Sequence, residues 1–532
     1  MPRLTIDGRA VEVAAGTTLL EAARPLGIDV PTLCTRDGLK PGTSCLVCLV
    51  KVKNPDRLVP SCGMPAVEGM QVESEVADVH AARKTALELL LSDHVGDCLA
   101  PCHFACPAHM DIPLMLRQIA GHELREAVAT VKDAIPLPAI LGRICPKPCE
   151  KGCRRAAEDG AVAVCQLKRY VADADLASGE PYQPERARAT GKRVAVVGAG
   201  PAGLSAAYYL ARLGHAVTLV DDGPRPGGRL WRETTEEELP REVLEAETGL
   251  VVRLGMDYRP NTRVGEGLTL EELRRGHDAV LLACGATDRA ELEGWGLKAG
   301  PHGVQVHRET YQTSLRGVFA AGNVTRGRGL AVRSVGDGRE AAQAIDRQLV
   351  ARAPGQMDKP HSHKPFSTRI GKLHDGEMQE FLTLAGKAVR HEPAGEYAAG
   401  EAEEQAGRCL HCDCRALTGC KLRHYAAAYG ADPGRFHSER RAIHIEEQPG
   451  GVLYEPGKCI DCGLCVQIVE GAREPLGLAF VRRGFDVRIG VPFGKSMEEA
   501  LGRVAEECVA ACPTAALSFR EMPRGLALPL VD

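Results

Sequence analysis

The stretch that decides the fold of the central part of the chain is Arg193-Val194-Ala195-Val196-Val197-Gly198-Ala199-Gly200-Pro201-Ala202-Gly203. An apolar run of strand length leads directly into a glycine-rich turn, and residues 204–213 continue as an apolar helix. Glycines in this pattern allow a tight turn, close approach of a diphosphate and close packing of the helix on the strand. The stretch therefore predicts a Rossmann-like α/β domain that binds a dinucleotide at a helix N-terminus.

The residues that follow strengthen this prediction. A second apolar strand, Ala216–Val220, ends at Asp221, where a carboxylate can bind ribose hydroxyls. The glycine pattern alone is weak evidence, but strand, glycine loop, helix, strand and acid in this order are strong evidence.

Four further segments favour FAD over NAD as the dinucleotide. They are Pro226–Leu230 (PGGRL), Asn261–Val264 (NTRV), Leu282–Ala286 (LACGA) and Gly317–Val324 (GVFAAGNV), and they resemble the FAD half of the glutamate synthase small-subunit family. Asn323 stands where that family usually has an Asp that contacts the flavin ribityl phosphate. The resemblance implies FAD contacts from Gly198, Gly200, Gly203, Asp221, Gly228, Arg229, Val264, Gly285, Gly322 and Asn323. Cys284 is interpreted as a core residue near the cofactor, with a redox-active role as the alternative.

One part of that family's pattern is missing. Members place a second nucleotide domain, for NADPH, between the segments that correspond to Leu282–Ala286 and Gly317–Val324. Such an insertion needs on the order of 100 residues. Here only thirty residues separate Ala286 from Gly317, and they contain no second glycine loop. We expect the chain to have no nicotinamide site of its own.

Composition sets limits on the rest of the molecule. The chain has 532 residues, a formal charge of −4 and 44% hydrophobic residues, a soluble globular composition without the basic stripe of a nucleic-acid-binding protein. No apolar run has the length of a membrane span, and the alternating N-terminus (MPRLTIDGRAVEV) is unlike a signal peptide, so we expect a cytoplasmic protein. The 21 cysteines lie in tight groups, which in this setting predicts metal ligation.

The first cysteine group follows a predicted hairpin, with Asp7-Gly8 at its turn, and a short helix that Thr18 caps. Hairpin then helix is the opening of a β-grasp domain. The segments PTLC, SCLVCLV and LVPSC resemble the N-terminal domain of the large iron–sulfur subunit of respiratory complex I and of related hydrogenases and formate dehydrogenases. The resemblance implies a [2Fe–2S] cluster, with a structural zinc site as the alternative. The expected ligands are Cys34, Cys45, Cys48 and Cys62.

The second group lies in a predicted helical domain. APCHFACPAHMDIP and LGRICPKPCEKGC resemble the N-terminal domain of the glutamate synthase small subunit and of dihydropyrimidine dehydrogenase, which implies two [4Fe–4S] clusters with interleaved ligands. One set is expected to be Cys98, Cys102, Cys153 and His94; the other is Cys106, Cys145, Cys149 and Cys165. Cys165 replaces a Gln or Glu of the family, because Lys168 stands at that position. His94 is the eighth ligand, since His-x3-Cys also occurs in the complex I subunit; an exposed helix-end histidine is the alternative.

The C-terminal third carries two more groups. Cys409, Cys412, Cys414 and Cys420 lie within twelve residues and suit one [4Fe–4S] cluster, with zinc as the alternative. Cys459-x2-Cys462-x2-Cys465 is a bacterial ferredoxin motif, and Cys512, followed by Pro513, completes one [4Fe–4S] cluster. Cys284 and Cys508 are left over.

These parts predict a multidomain α/β and α+β protein in six consecutive segments. They are a β-grasp [2Fe–2S] domain (1–78), a helical double-cluster domain (79–185), an FAD-binding domain (186–350), a linker and helix (351–400), a four-cysteine module (401–440) and a ferredoxin-like domain (441–532). FAD exchanges electron pairs and clusters pass single electrons. We therefore expect an FAD-dependent iron–sulfur oxidoreductase that has no nicotinamide site of its own. It is expected to exchange electrons with other subunits or a ferredoxin.

The expected partners include an NADH-oxidising flavin subunit or a catalytic dehydrogenase subunit. The layout resembles the large subunit of NADH-dependent ferredoxin:NADP oxidoreductases without its NADP domain. A self-contained NAD(P)H enzyme of the glutamate synthase small-subunit type and a cluster-carrying scaffold without turnover are the alternatives. The sequence does not name the terminal substrate or the direction of electron flow.

Overall fold

The computed structural model describes residues 1–350, 366–416, 418–436, 439–447 and 451–520. They form two compact units. The first unit consists of Met1–Ala100, Lys364–Leu384 and His411–Asp532, and the second of Pro101–His363 and Ala385–Leu410. The chain therefore passes between the two units more than once. Residues 351–365 of the expected linker lie outside the described residues.

The first unit begins with a small mixed sheet of strand order β2-β1-β5-β3-β4. The predicted hairpin is present, and both turn residues, Asp7 and Gly8, have positive φ. Thr18 and Glu21 form the predicted capping box at the start of the helix. The elements are β1 (Arg3–Ile6), β2 (Arg9–Glu12), α1 (Leu19–Ala23), β3 (Leu49–Val52), β4 (Arg57–Pro60), β5 (Gln71–Glu73) and α2 (Ala77–Ser92).

The second unit begins as a helical bundle. Its core is apolar and close to fully buried, with Met115, Ile119, Val128 and Leu167 at 0–1% exposure. The side chain of Asp111 caps one helix by accepting from the backbone N–H of the third helical residue. The helices are α3 (Pro101–Ala105), α4 (Ile112–Ala120), α5 (Leu124–Ala134), α6 (Pro138–Ile144), α7 (Pro148–Lys151) and α8 (Val164–Ala177).

The same unit continues as the predicted Rossmann-like domain, with a parallel sheet of order β12-β9-β6-β7-β8. Gly338 lets two helices touch, since a Cβ there would lie 2.2 Å from the Ala202 carbonyl oxygen. The elements are β6 (Arg193–Val197), α9 (Pro201–Arg212), β7 (Ala216–Val220), α10 (Leu230–Glu233), α11 (Arg241–Val252), β8 (Asp257–Arg259), α12 (Leu270–Gly276), β9 (Ala279–Leu282), α13 (Arg289–Gly294), β10 (Ala299–Gly300), β11 (Gly303–Val304), β12 (Val318–Ala320) and α14 (Ala331–Leu349).

The remaining elements are short and surround the C-terminal cysteines. Strands β13, β14 and β17 form one sheet, and β15 pairs with β16. The elements are α15 (Glu377–Leu382), α16 (Ala399–Gly407), α17 (Lys421–Ala428), β13 (Glu446–Glu447), β14 (Val452–Tyr454), α18 (Leu464–Gly471), β15 (Ala479–Val481), β16 (Arg488–Gly490), α19 (Met497–Leu501), α20 (Ala505–Ala511) and β17 (Leu517–Phe519). In the part of the chain that the structure describes, no helix combines the length and hydrophobicity that crossing a bilayer needs.

Candidate cofactor sites

The glycine loop between β6 and α9 has the close approaches that its sequence predicts. Gly198 has φ of +102°, and a Cβ there would lie 2.5 Å from the carbonyl oxygen of Ala283. A Cβ on Gly203 would lie 1.7 Å from the carbonyl oxygen of Gly198. At Gly200, by contrast, a Cβ would meet no atom within 4 Å, so this backbone faces open space. Two glycines close the turn and the third leaves room beside the N-terminus of α9, as a bound diphosphate requires.

Asp221, which follows β7, hydrogen-bonds to the backbone of this glycine loop. Its Oδ2 accepts from the backbone N–H of Ala199 at 2.5 Å, and its Oδ1 accepts from that of Gly223 at 2.9 Å. Burial raises the pKa of Asp221. The hydroxyl of Tyr258 is buried beside it and has no hydrogen-bond partner among the described residues. The carboxylate and this hydroxyl are polar groups suited to the ribose that the sequence predicts here.

The loop after β12 approaches the glycine loop from the other side. Gly322 has φ of +75°, and a Cβ there would lie 2.7 Å from the Cβ of Ala202. The Oδ1 of Asn323 is buried and, within the described residues, unpartnered. A buried amide oxygen without a partner is costly, so Asn323 fits contact with a bound polar group. The structure also places the remaining residues that were predicted to contact the flavin. A Cβ on Gly228 would lie 2.9 Å from the Cα of Gly200, and a Cβ on Gly285 would lie 3.9 Å from the Cδ of Arg229. Val264 is buried.

The four thiols of the first unit's N-terminal domain share one site. Cys48 precedes β3 and Cys62 follows β4, and the antiparallel pairing of these strands brings the two together. Cys34, Cys45 and Cys62 hydrogen-bond through their thiols, which lowers the pKa of Cys34. The thiol of Cys62 lowers the pKa of Cys48 to about 7. These four thiols are buried and lie within hydrogen-bonding distance of one another. They form a set of sulfur ligands suited to iron.

A second set of four thiols lies in the helical bundle. Cys145 and Cys165 hydrogen-bond through their thiols, which lowers the pKa of Cys145 to about 7. Burial raises the pKa of Cys149 to about 12, with the charge of Cys106 adding to the effect. The N–H of Cys165 donates to Glu150 at 3.0 Å, which fixes the start of α8. The structure therefore brings Cys165 together with the cysteines that the sequence assigned to the same cluster.

Cys98 has different neighbours from those expected. The N–H of Cys414 donates to the carbonyl oxygen of Cys98 at 3.2 Å. Cys98 and Cys414 both act on the thiol of Cys420, whose pKa burial raises to about 12. Cys98, Cys414 and Cys420 all belong to the first unit, whereas Cys102, Cys153 and Cys409 belong to the second. The structure thus brings Cys98 together with Cys414 and Cys420, and the ligand sets expected from spacing stay a prediction.

His94 is only partly exposed and its Nδ1 is buried, so it is not the exposed helix-end histidine that was the alternative. Burial, with the charge of Lys458 as the second cause, lowers the pKa of His94 to about 4, so the ring is neutral. The ring hydrogen-bonds to the backbone of Lys458, while Nδ1 has no partner among the described residues. A neutral imidazole that donates from one nitrogen and leaves the other free is the state in which histidine binds metals.

Lys458 lies close to both His94 and Cys414. Its side chain is 4% exposed and its Nζ pairs with Glu455 at 2.6 Å. Burial disfavours its charge, but Glu455 and Cys414 raise the pKa of Lys458 above the ordinary value. Its stem lies against Gly96, where a Cβ would be 2.7 Å from Cε. This buried lysine is a feature of the site that sequence reasoning missed.

Cys153 and Cys409 are connected through their neighbours in the second unit. Arg155 donates to the carbonyl oxygens of Arg408 and Gly386. Arg408 in turn pairs with Asp159 at 3.1 Å. These bonds hold the residues after Cys153 against the residue before Cys409.

The ferredoxin motif forms its own site. One small cavity is lined by Cys459, Cys462, Cys465, Cys512 and the extra Cys508. Of the five, Cys508 is the most buried, at 0% exposure, and its Sγ lies 3.9 Å from the carbonyl oxygen of Cys465. Cys284, the other leftover cysteine, hydrogen-bonds to Thr287, and burial raises its pKa to about 11.

Three family models match parts of the chain. Residues 2–76 match the 2Fe-2S iron–sulfur cluster binding domain, residues 79–180 the dihydropyrimidine dehydrogenase domain II with its 4Fe-4S cluster, and residues 154–338 the pyridine nucleotide-disulphide oxidoreductase family. These three segments are thus similar to two kinds of iron–sulfur cluster domain and to an oxidoreductase domain. The recognition of these domain types from sequence, and the mixed α/β fold class, are confirmed.

Curated relatives are oxidoreductase subunits. The NADP(+)-dependent formate dehydrogenase subunit beta of Moorella thermoacetica is 38% identical over 224 residues, which are 37% of this chain and 32% of that protein. The NAD-dependent dihydropyrimidine dehydrogenase subunit PreT of Escherichia coli K12 is 37% identical, over 38% of this chain and 51% of its own. The NADPH glutamate synthase small chain of Bacillus subtilis is 34% identical, over 35% and 38%. The matches thus span a third to a half of these relatives.

Proposed function

We propose that this chain is an electron-transferring iron–sulfur flavoprotein subunit of a larger oxidoreductase. The observation that carries the proposal is the presence, in one chain, of several separate groups of buried thiols together with a Rossmann-like glycine loop. The 21 cysteines form no disulfide, which supports a reducing compartment, and we propose the cytoplasm.

The proposed cofactors are FAD, one [2Fe–2S] cluster and four [4Fe–4S] clusters. Neighbouring residues support four ligand sets, and the fifth cluster is proposed from the cysteines that remain in the second unit. The four sets are Cys34, Cys45, Cys48 and Cys62; Cys106, Cys145, Cys149 and Cys165; His94, Cys98, Cys414 and Cys420; and Cys459, Cys462, Cys465 and Cys512. Apart from Cys284, the remaining cysteines of the second unit are Cys102, Cys153 and Cys409.

The protein's own residues would bind and orient the flavin. The N–H groups at the start of α9, beside open Gly200, would bind the diphosphate, and Asp221 would bind the ribose. Asn323 would donate from Nδ2 to the ribityl phosphate, or accept at Oδ1 from a hydroxyl of the ribityl chain, without adding negative charge. When bound, FAD supplies exchange between electron pairs and single electrons, and the clusters supply single-electron steps.

The electrons are proposed to come from, or go to, a partner subunit. Between Ala286 and Gly317 the chain forms only α13 and the β10–β11 pair, which do not make a nucleotide-binding domain. The [2Fe–2S] domain is the proposed docking point for an NADH-oxidising flavin subunit, since the complex I domains that it resembles receive electrons from such a subunit. A dehydrogenase subunit or a ferredoxin would complete the path.

Anaerobic stopped-flow mixing with NADH or NADPH tests this proposal. We expect no flavin bleaching in the isolated chain at turnover rates, which are on the order of 1–1000 per second. We expect rapid bleaching once a co-purified nicotinamide-oxidising subunit is present. Fast reduction of the isolated chain would instead support a self-contained NAD(P)H enzyme, and a chain that purifies without flavin would support a scaffold.

A further inference from the structure

Lys168 is a buried lysine among the cluster thiols of the helical bundle. It lies on α8 three residues after Cys165, on the same helix face, and is 4% exposed. The neighbouring groups whose charges act on it are Cys165, Cys145, Cys149 and Cys106. An ammonium group in such a place is costly unless an anion compensates it.

The nearby carboxylates are engaged by other cations. Glu150 pairs with Arg390 at 3.1 Å and also accepts from the backbone of α8. Asp173, one turn further along α8, is held by both guanidinium nitrogens of Arg143 at 2.7 and 2.9 Å. The thiolates that would hold the cluster are therefore the anions that face Lys168.

We propose that Lys168 is the fixed positive charge of this four-thiol site and raises the reduction potential of the cluster that the site holds. The inference rests on the proposed ligand set of Cys106, Cys145, Cys149 and Cys165. Reduction adds one negative charge to a cluster, and a cation close by in a low-dielectric interior stabilises the reduced state more than the oxidised state. Lys168 acts through the cluster surroundings, so it is a positioning residue and not a ligand.

Potentiometric titration followed by EPR tests this on the full chain, purified anaerobically. Lys168→Met removes the charge and keeps a side chain of similar length. At the wild-type midpoint potential of this cluster, we expect the ratio of reduced to oxidised cluster to fall at least tenfold in Lys168→Met. This fall corresponds to a decrease of about 59 mV in the midpoint potential. The other midpoints should stay in place. Lys168→Arg should keep the wild-type value, and the shift should persist at high salt because a buried charge is poorly screened.

Arg169→Met is the matched control. It removes a positive charge from the adjacent position of the same helix, but that charge is partnered by Asp173 at 3.2 Å. We expect no comparable shift in this variant. An unchanged potential in Lys168→Met, or an equal shift in Lys168→Arg, would overturn the proposal.

Loss of the cluster in the neutral variant would still be informative. If Lys168→Met loses about four irons, Lys168→Leu, a second neutral variant, is titrated in its place and should show the same fall in the ratio of reduced to oxidised cluster. Loss of the cluster in both neutral variants overturns the proposal. Failure of the underlying ligand set looks different, since Cys165→Ser would then leave every EPR signal of the otherwise wild-type chain unchanged.

Discussion

The backbone N–H of Cys414 donates to the carbonyl oxygen of Cys98 at 3.2 Å, although the whole flavin-type domain separates these two residues in the sequence. The bond joins the segment of His94 and Cys98 to that of Cys414 and Cys420 within the first unit. Cys414 is thereby proposed to serve a different cluster from Cys409, which belongs to the second unit.

Single Cys→Ser variants test this division. Because Cys414 and Cys98 lie together, Cys414→Ser and Cys98→Ser should change the same EPR signal, and each should lose about four irons. Cys409→Ser, the matched control five residues away, should change a different signal. If Cys409→Ser and Cys414→Ser alter one common signal, the four-cysteine module expected from spacing is correct instead.

His94→Cys should lower one reduction potential. His94 is a neutral imidazole whose buried Nδ1 has no partner among the described residues, and a thiolate in its place would add a negative charge that opposes reduction. The affected signal should be the one that Cys420→Ser also changes. His374→Cys is the control, since His374 is 56% exposed and pairs with Glu377. A potential unchanged in His94→Cys would remove His94 from the ligand set.

Iron analysis tests the whole assignment. One two-iron and four four-iron clusters give about eighteen irons per chain purified without oxygen. The EPR of partly reduced samples should resolve one [2Fe–2S] signal. A value near ten irons would contradict at least two of the ligand sets.

Local patterns predicted most of the fold because they depend on neighbouring residues. The hairpin at Asp7-Gly8, the cap at Thr18 and the strand–glycine loop–helix at Val197–Gly203 are each specified within a few positions. The partners of Cys98 could not be read in this way, because the contact with Cys414 depends on how distant segments return to the same unit. The burial of Lys168 and Lys458 was equally hidden, since lysines are exposed by default.

Gly203→Ala should abolish flavin binding. Its Cβ would lie 1.7 Å from the carbonyl oxygen of Gly198, so the glycine loop would have to open. The purified variant should lose the flavin absorbance and keep its iron. Gly294→Ala in α13 is the control, because a Cβ there meets no atom within 4 Å and favours the helix. Retention of FAD by Gly203→Ala would show that the diphosphate binds elsewhere.

Glu247 makes the attachment of α6 dependent on pH. Its two oxygens accept from the N–H groups of Ala139 and Ile140 at 2.7 Å each, and burial raises the pKa of Glu247 from 4.5 to about 7. The folded carboxyl therefore keeps its proton between pH 4.5 and 7, whereas the unfolded one has lost it. The stabilisation is full below pH 4.5 and falls by about 3 kcal/mol as pH rises through 7.

Hydrogen exchange of the peptide that spans Pro138–Ile144, corrected for the intrinsic pH dependence of exchange, measures this loss. The opening free energy should fall between pH 4.5 and 7 in the wild type. In Glu247→Gln it should be flatter, because the amide does not ionise, and lower at acid pH by about 1–3 kcal/mol, because the Gln side chain amide cannot accept at both N–H groups. Glu242→Gln, at an exposed position of the same helix α11, should retain the wild-type slope. An identical slope in Glu247→Gln would show that another group controls the pH dependence of α6.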